Sequence, residues 1–506
     1  MFCDKSHVNT LTTLLTAHGI QDAVVCPGSR NAVVVHNLHE AGFRLHPITD
    51  ERSAAFVAIG LWLSSRRPVI VCVTSGSALL NLIPGVAEAA FRHIPLLILS
   101  ADRPEQWIGQ LDGQTLPQHG ALHPYASTWT VPETEESDTR ERHWYSNRII
   151  NESLCTLMLH KGPVHLNIPI SEPLFSFTVR QLPYERIVQA YRPHTLSELP
   201  ENLQQLVLHA QCPLLVIGQY EDAPLREIPL LKSMGWKVFA ENISNHAEYS
   251  DGLPTGEHDV VVHLGGAFVN KDIKRLLREQ CPTVIRIDDT DEFPDTFCHL
   301  AVKLCVSPAI GIHWLAQLCE KGIPQTSVSQ VLPPADTAPF EALFLANSTT
   351  VRWAERHISQ MPLAERTYCN RGTNGIEGSL SVAAGYSMAT TRPVLCITGD
   401  LSFFYDANSL WNIRLAGNLR ILLINNQGGG IFSGLPGLKE SPAMKEYIAA
   451  AHPFQAKGIA ESFGCTYIHT ESTNLASDFL TLVEQLQRMP SSRPVILEVL
   501  TAQHSF

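Results

Sequence analysis

Asp400 and the pair Asn425-Asn426 are oxygen-bearing residues placed where two strands should end. They stand in the segment GDLSFFYDANSLWNIRLAGNLRILLINNQGGGIF, residues 399–432. The preceding run VLCIT is apolar and β-branched and reads as a buried strand. Gly399-Asp400 ends it at a sharp turn and a helical pattern follows. A second apolar strand, ILLI, then runs into Asn425-Asn426 and three glycines. The carboxyl ends of two neighbouring parallel strands thus hold an Asp and an Asn side by side. Hard oxygen ligands with backbone carbonyls nearby suit Mg²⁺, which prefers six oxygens and takes some from a diphosphate. The helix N-terminus after Asp400 offers N–H groups to the same phosphates. The competing reading is an ordinary strand–helix–strand crossover, with Asp400 as helix cap and the Asn and Gly residues as a turn.

The chain that positions these residues has 506 of them, enough for roughly three domains at about 150 residues each. Hydrophobic residues make up 44% and charged ones 17%, the balance of an ordinary globular protein. A net charge of −12 argues against nucleic acid as a partner. No run approaches the ~18 apolar residues of a membrane span. The start, MFCDKSHVNTLTTLL, lacks the basic-then-apolar pattern of a signal peptide. The cysteines show no CxxC or ligand spacing, and most, such as Cys72 and Cys396, sit inside apolar runs as buried free thiols. A reducing cytoplasmic location is expected, with no disulfide or zinc framework.

The fold class read from the pattern is α/β, in three α/β domains with parallel sheets. Residues 1–180 alternate strands (DAVVCPG, PVIVCVTSG, PLLILSADRP) with helices. A proline-containing linker follows at 171–200. Residues 195–325 form a second α/β unit, with strands CPLLVIG, KVFAEN, DVVVHLGG and TVIRIDD. A second linker at 323–340 leads to a third unit, 337–506, which holds Asp400. The first and third regions share an architecture, which suits a cofactor held between related domains. The middle region lacks Gly-x-Gly-x-x-Gly after a strand, so no nicotinamide or flavin is expected there.

The ordered set of strand, Gly-Asp, helix, strand and Asn-Asn resembles the cofactor motif of thiamine diphosphate enzymes, with Leu401 in place of a third glycine. That resemblance implies a thiamine diphosphate-binding fold, with pyrimidine-binding, central and diphosphate-binding domains in that order. Such enzymes need a carboxylic acid against the aminopyrimidine ring. Glu51 fits: it follows the strand LHPITD and opens the apolar helix SAAFVAIGLWL, where a carboxyl can hold and share a proton. The competing reading is a first-turn Glu favoured by the helix dipole.

Four more segments, CPGSR (26–30), TSGSALLNLIPGVAEA (74–89), LSADRP (99–104) and YCNRGTNGIEGS (368–379), join TDER and GDLS. Together they resemble the 2-succinyl-5-enolpyruvyl-6-hydroxy-3-cyclohexene-1-carboxylate synthases of menaquinone biosynthesis, across nearly the whole chain. The resemblance implies a carboligase that decarboxylates 2-oxoglutarate and adds the succinyl carbanion equivalent to isochorismate. Both substrates are dicarboxylates, and each suspected site motif carries an arginine, whose fork binds carboxylates: Arg30, Arg103, Arg352 and Arg371.

By that resemblance Ser29 and Arg30 face substrate, and Arg103 and Gln114 lie near the acceptor and the pyrimidine. Ser348 and Arg352 hold the succinyl carboxylate, and Arg371 a carboxylate of isochorismate. Ile376, after Gly375, props the bent cofactor, and Ile431-Phe432 wall the pocket. Gly399, Leu401 and Ser402 border the diphosphate, while Asp400, Asn426 and the Gly428 carbonyl bind Mg²⁺, with Mn²⁺ able to substitute. Two departures stand out. Gly113 occupies a place the family often gives to Asn, and a family Ser-Lys-Arg reads here as Asn270-Lys271-Asp272, so either Lys271 or Lys274/Arg275 fills that role. The same resemblance implies a homodimer, with a homotetramer as the alternative. Ser75 and Ser77 read as a tight turn, His119 and His123 as loop residues, and Trp62 and Trp411 as core or interface. The rival readings are another thiamine diphosphate-dependent 2-oxoacid decarboxylase or carboligase, and a non-catalytic nucleotide-binding α/β protein.

Overall fold

Runs of apolar, β-branched residues bounded by turn formers become parallel strands, because helices cover both faces and leave no polar side to the sheet. The computed structural model describes residues 1–134, 139–160, 162–190, 198–280, 282–321, 338–358, 361 and 363–501. They gather into two compact units, Met1–Arg192 with Gly372–Ser505, and Pro193–Arg371. The expected boundaries at 195, 325 and 337, and most of the second linker, lie outside the described residues.

The first unit begins with β1 (Asp22–Val25), β2 (Arg44–Pro47), β3 (Val69–Val73), β4 (Leu96–Asp102), β5 (Ser127–Thr130) and β6 (Val164–Pro169). They form a sheet in the order β2-β1-β3-β4-β6-β5, every pair parallel. The order reverses between β1 and β3, and the loops leaving their carboxyl ends, CPGSR and TSG, meet there. Gly28 is required at that meeting: a Cβ on it would lie 2.4 Å from the Thr74 Cβ.

In the second unit β7 (Leu214–Ile217), β8 (Lys237–Ala240), β9 (Val260–Leu264), β10 (Thr283–Ile287) and β11 (Leu300–Leu304) give a parallel sheet, β11-β10-β9-β7-β8. Alternate residues feed two cores, Leu215, Val238 and Val262 on one face, Leu214, Phe239 and Val261 on the other. β12 (Phe340–Leu345) and β13 (Ala364–Cys369) pair in parallel.

The first unit resumes with β14 (Val394–Gly399), β15 (Leu419–Asn425), β16 (Thr466–Ser472) and β17 (Val495–Thr501), parallel in the order β14-β15-β17-β16. Two almost wholly buried helices, Glu51–Ser65 and Ser379–Ser387, cross within this unit. Glycines set the crossing: a Cβ on Gly60 would lie 2.0 Å from the Val382 carbonyl oxygen, and one on Gly385 2.1 Å from that of Val57. Asn408 Nδ2 donates to Ser53 Oγ (2.7 Å) beside the crossing. No helix among the described residues is long and apolar enough to cross a membrane.

Candidate active site

β14 and β15 are neighbours, so their carboxyl ends bring Asp400 and the Asn pair together. Asp400 opens the helix Asp400–Asp406 and is buried. Its Oδ1 accepts from its neighbour Leu401 N (2.7 Å) and its Oδ2 from Gly428 N (2.8 Å). Burial pushes this carboxyl up, while those N–H groups and the charge of His452, whose Nε2 lies 3.4 Å from Oδ2, pull it back.

The two asparagines divide the work. Asn425 donates to Phe454 O (2.9 Å) and buried Glu498 (2.6 Å) and accepts from Gln427 N (2.9 Å). It holds the loop and is spent. Asn426 is 5% exposed, and its amide makes no hydrogen bond among the described residues. That leaves the Asn426 side chain available to a ligand. With the Asp400 carboxylate and the Gly428 carbonyl it makes an all-oxygen donor set, which fits Mg²⁺ and a diphosphate. Gly428 sits at φ 147, and a Cβ there would lie 2.9 Å from the Ala449 carbonyl. Ser402 Oγ donates to the Ile376 carbonyl, tying the Gly375-Ile376 loop to the helix that Asp400 starts. Ile431 and Phe432 lie partly exposed in the 3₁₀ turn Gly430–Gly434.

Glu51 is the first residue of its helix. The capping falls to Asp50, which accepts the Arg52 N–H (3.0 Å) and pairs with the Arg52 guanidinium (2.7 Å). Glu51 accepts no hydrogen bond among the described residues, so its carboxyl is left for another partner. Ser29 is exposed, while Arg30 is buried with Nη1 on the Ile170 carbonyl (2.6 Å) and Nη2 toward Glu172 (3.3 Å). Arg103 Nε donates to Gly113 O (3.2 Å), next to exposed Gln114, whose φ is 58. Ser75-Gly76-Ser77 is the expected tight turn, with Gly76 at φ 85.

In the second unit Ser348, at φ 70, precedes the helix Thr349–His357, and its carbonyl accepts from Arg352 Nη1 (2.6 Å). Buried Arg371 donates to Asn347 Oδ1 (3.2 Å) and Phe268 O (2.9 Å), and its Nε has no partner among the described residues. Burial, then the Arg371 charge, pull the Arg352 guanidinium below its usual value. Lys274 is half-buried over the Phe268 ring (5.9 Å), and burial followed by the charges of Arg278 and Arg371 lower it. Lys271 is exposed, and Arg275 pairs with Asp272 (3.0 Å). Lys274 is the half-buried lysine of the two, with the Arg371 charge close by, while Lys271 stands just before the helix Asp272–Gln280.

Some residues that hold these loops carried no signal in the sequence. Gln118 is fully buried, accepts from Gly76 N (2.7 Å) and donates to Ala101 O (3.2 Å) and Asn167 (2.9 Å), joining the ends of β3, β4 and β6. Glu88, also fully buried, accepts from Gly372 N (3.1 Å) and Thr373 N (2.7 Å) and so fixes the start of the loop that carries Ile376. Glu88 is a lone polar residue in its apolar segment, and Gln118 one of several in its loop, with no spaced partner to reveal either. Trp411 is exposed, and Arg66 lies over Trp62 (4.6 Å).

This pairing of an unspent acid before an apolar helix with an all-oxygen set between parallel strands is that of the thiamine diphosphate enzymes. Residues 7–125 match the thiamine pyrophosphate enzyme N-terminal TPP binding domain, and residues 347–499 the C-terminal TPP binding domain. A thiamine diphosphate-dependent 4-hydroxybenzoylformate decarboxylase from Rhodococcus jostii has a similar fold. Its TM-score is 0.69 over 99% of this chain and 100% of its own, at 18% identity, a likeness of fold alone. Sequence relatives narrow the class. The 2-succinyl-5-enolpyruvyl-6-hydroxy-3-cyclohexene-1-carboxylate synthase of Bacteroides thetaiotaomicron is 38% identical over 99% of this chain and 96% of its own length. That of Desulfotalea psychrophila is 34% identical over 98% of each. The chain belongs to the 2-succinyl-5-enolpyruvyl-6-hydroxy-3-cyclohexene-1-carboxylate synthase family.

Proposed function

We propose that the protein converts 2-oxoglutarate and isochorismate to 2-succinyl-5-enolpyruvyl-6-hydroxy-3-cyclohexene-1-carboxylate and CO₂, in menaquinone biosynthesis. Bound thiamine diphosphate supplies the electron sink that lets a 2-oxo acid lose CO₂ and act as an acyl carbanion equivalent. Asp400, Asn426 and the Gly428 carbonyl hold Mg²⁺, or Mn²⁺ in its place. Glu51 holds a proton against the aminopyrimidine ring, and Ile376, Ile431 and Phe432 supply the apolar walls. The observation that carries the substrate class is the set Arg352, Arg371 and Lys274, three cations drawn together in partly buried surroundings, one with an unpartnered Nε. Such a concentration of desolvated positive charge suits a dicarboxylate and exceeds what a monocarboxylate requires. Arg30, Ser29, Arg103 and Gln114 complete the acceptor side, and Ser348 the succinyl side.

The domain reading that supports this assigns 1–180 to the pyrimidine, 195–325 to a central domain and 337–506 to the diphosphate. A cytoplasmic homodimer, alone or paired into a tetramer, is the assembly we assign. Incubation with 2-oxoglutarate, isochorismate, thiamine diphosphate and Mg²⁺ should give the carboligation product by mass. Equal turnover of pyruvate, or no product from isochorismate, would overturn the assignment.

A further inference from the structure

Glu241 directly follows β8 and is 1% exposed, yet no step of the proposed reaction uses it. Both of its oxygens are engaged by backbone: Oε2 accepts from Val269 N (2.7 Å) and Oε1 from Asn270 N (2.6 Å). The loop they belong to is tied at its other end as well. Gly265 turns at φ 71, Gly266 N donates to Gln219 O (2.7 Å), and the Phe268 ring packs on His263 (5.4 Å) and Phe297 (6.0 Å). With its ring in the core and the next two N–H groups on Glu241, Phe268 has its carbonyl fixed, and that carbonyl accepts from Arg371 Nη2. Burial pushes the Glu241 carboxyl up, and the two N–H groups with the charges of Arg371 and Lys274 oppose it. The next residue, Asn242, donates its N–H to Glu355 (3.0 Å), on the helix that carries Arg352. One strand end therefore braces both arginines of the cation set.

We infer that Glu241 is a positioning residue for Arg371, setting the Val269-Asn270 loop whose neighbouring carbonyl aims the guanidinium at the acceptor's carboxylate. The inference rests on the reading of Arg371 as a ligand of isochorismate. Glu241→Gln keeps the size but offers an NH₂ where one loop N–H needs an acceptor, so the loop shifts. A misplacement of about 1 Å in a binding group is worth roughly ten- to a hundredfold.

The experiment is steady-state kinetics of the thiamine diphosphate- and Mg²⁺-loaded enzyme with both substrates. Glu241→Gln should raise the KM for isochorismate about tenfold or more, leaving the KM for 2-oxoglutarate and the affinity for thiamine diphosphate within about twofold. In an Arg371→Lys background it should add less than about twofold, since Arg371 is the group it acts through. Glu241→Asp, which keeps the charge at shorter reach, should fall between wild type and Glu241→Gln, and it serves as the test should Glu241→Gln not fold. Parallel rises in all three constants would show a merely structural role and overturn the inference. So would an isochorismate KM that Arg371→Lys raises and Glu241→Gln does not, or effects of the two that simply multiply. An isochorismate KM untouched by Arg371→Lys would instead remove the underlying reading of Arg371.

Discussion

Gly60→Ala tests whether the two buried helices must touch backbone to backbone. A Cβ at Gly60 would stand 2.0 Å from the Val382 carbonyl oxygen and 2.6 Å from Tyr386 N, both main-chain atoms that cannot rotate away. The helices would have to part by roughly 1 Å, forfeiting a quarter to a half of the dispersion energy along the seam. Overpacking of this kind costs about 1–3 kcal/mol, and the lost contacts add to it. Helix propensity returns about 1 kcal/mol. The net is a loss of about 2 kcal/mol. Gly458→Ala is the reference: it lies in the helix Lys457–Ser462 with nothing within 4 Å of the new methyl, so only the gain of up to about 1 kcal/mol operates. Urea unfolding followed by circular dichroism should separate them, the Gly60 variant unfolding roughly 0.7 M earlier than wild type for m near 3 kcal/mol/M. Activity should fall with it, because one helix begins at Glu51 and the other follows the Ile376 loop. A Gly60→Ala protein as stable as Gly458→Ala would refute the close-contact argument.

Glu51→Gln should fold and bind thiamine diphosphate, yet slow hydrogen–deuterium exchange at the cofactor's C2 by about 10²-fold or more; unchanged exchange removes the assignment. Asp400→Ala should abolish Mg²⁺-dependent cofactor binding in calorimetry, and normal affinity would contradict the metal site. Mixing the inactive Glu51→Gln and Asp400→Ala chains should restore part of the activity if each site is shared by two subunits, since one site of a mixed dimer is then intact; verified heterodimers without activity exclude sharing. Burial pushes the Asp406 carboxyl from its ordinary 3.8 to about 7, against hydrogen bonds from Ser381. The folded chain thus keeps a proton that the unfolded chain releases, and this group's contribution to stability falls as pH rises from about 4 to about 7. Asp406→Asn should flatten the decline in melting temperature between about pH 5 and pH 7; parallel curves for variant and wild type would count against it.

The strands and the order of the site motifs were legible because they rest on local rules. VIVCV, LLILS, VLCIT and ILLI are apolar runs that only a strand covered on both faces can bury, and all four lie in strands of parallel sheets. Gly399-Asp400 and Asn425-Asn426 end neighbouring strands, so their proximity follows from the crossover between them. Other decisions belonged to the tertiary structure alone. The residue pattern alone could not tell which asparagine is free, and only the family resemblance pointed to Asn426; in the fold Glu498, on a strand far along the chain, occupies Asn425. Nor could it show that Lys274 is half-buried while Lys271, just before the Asp272–Gln280 helix, is exposed. Gln118, Glu88 and Glu241 each accept from backbone N–H groups distant in sequence. A backbone N–H carries no residue identity, so the requirement for an acceptor opposite it arises only when the chain has folded.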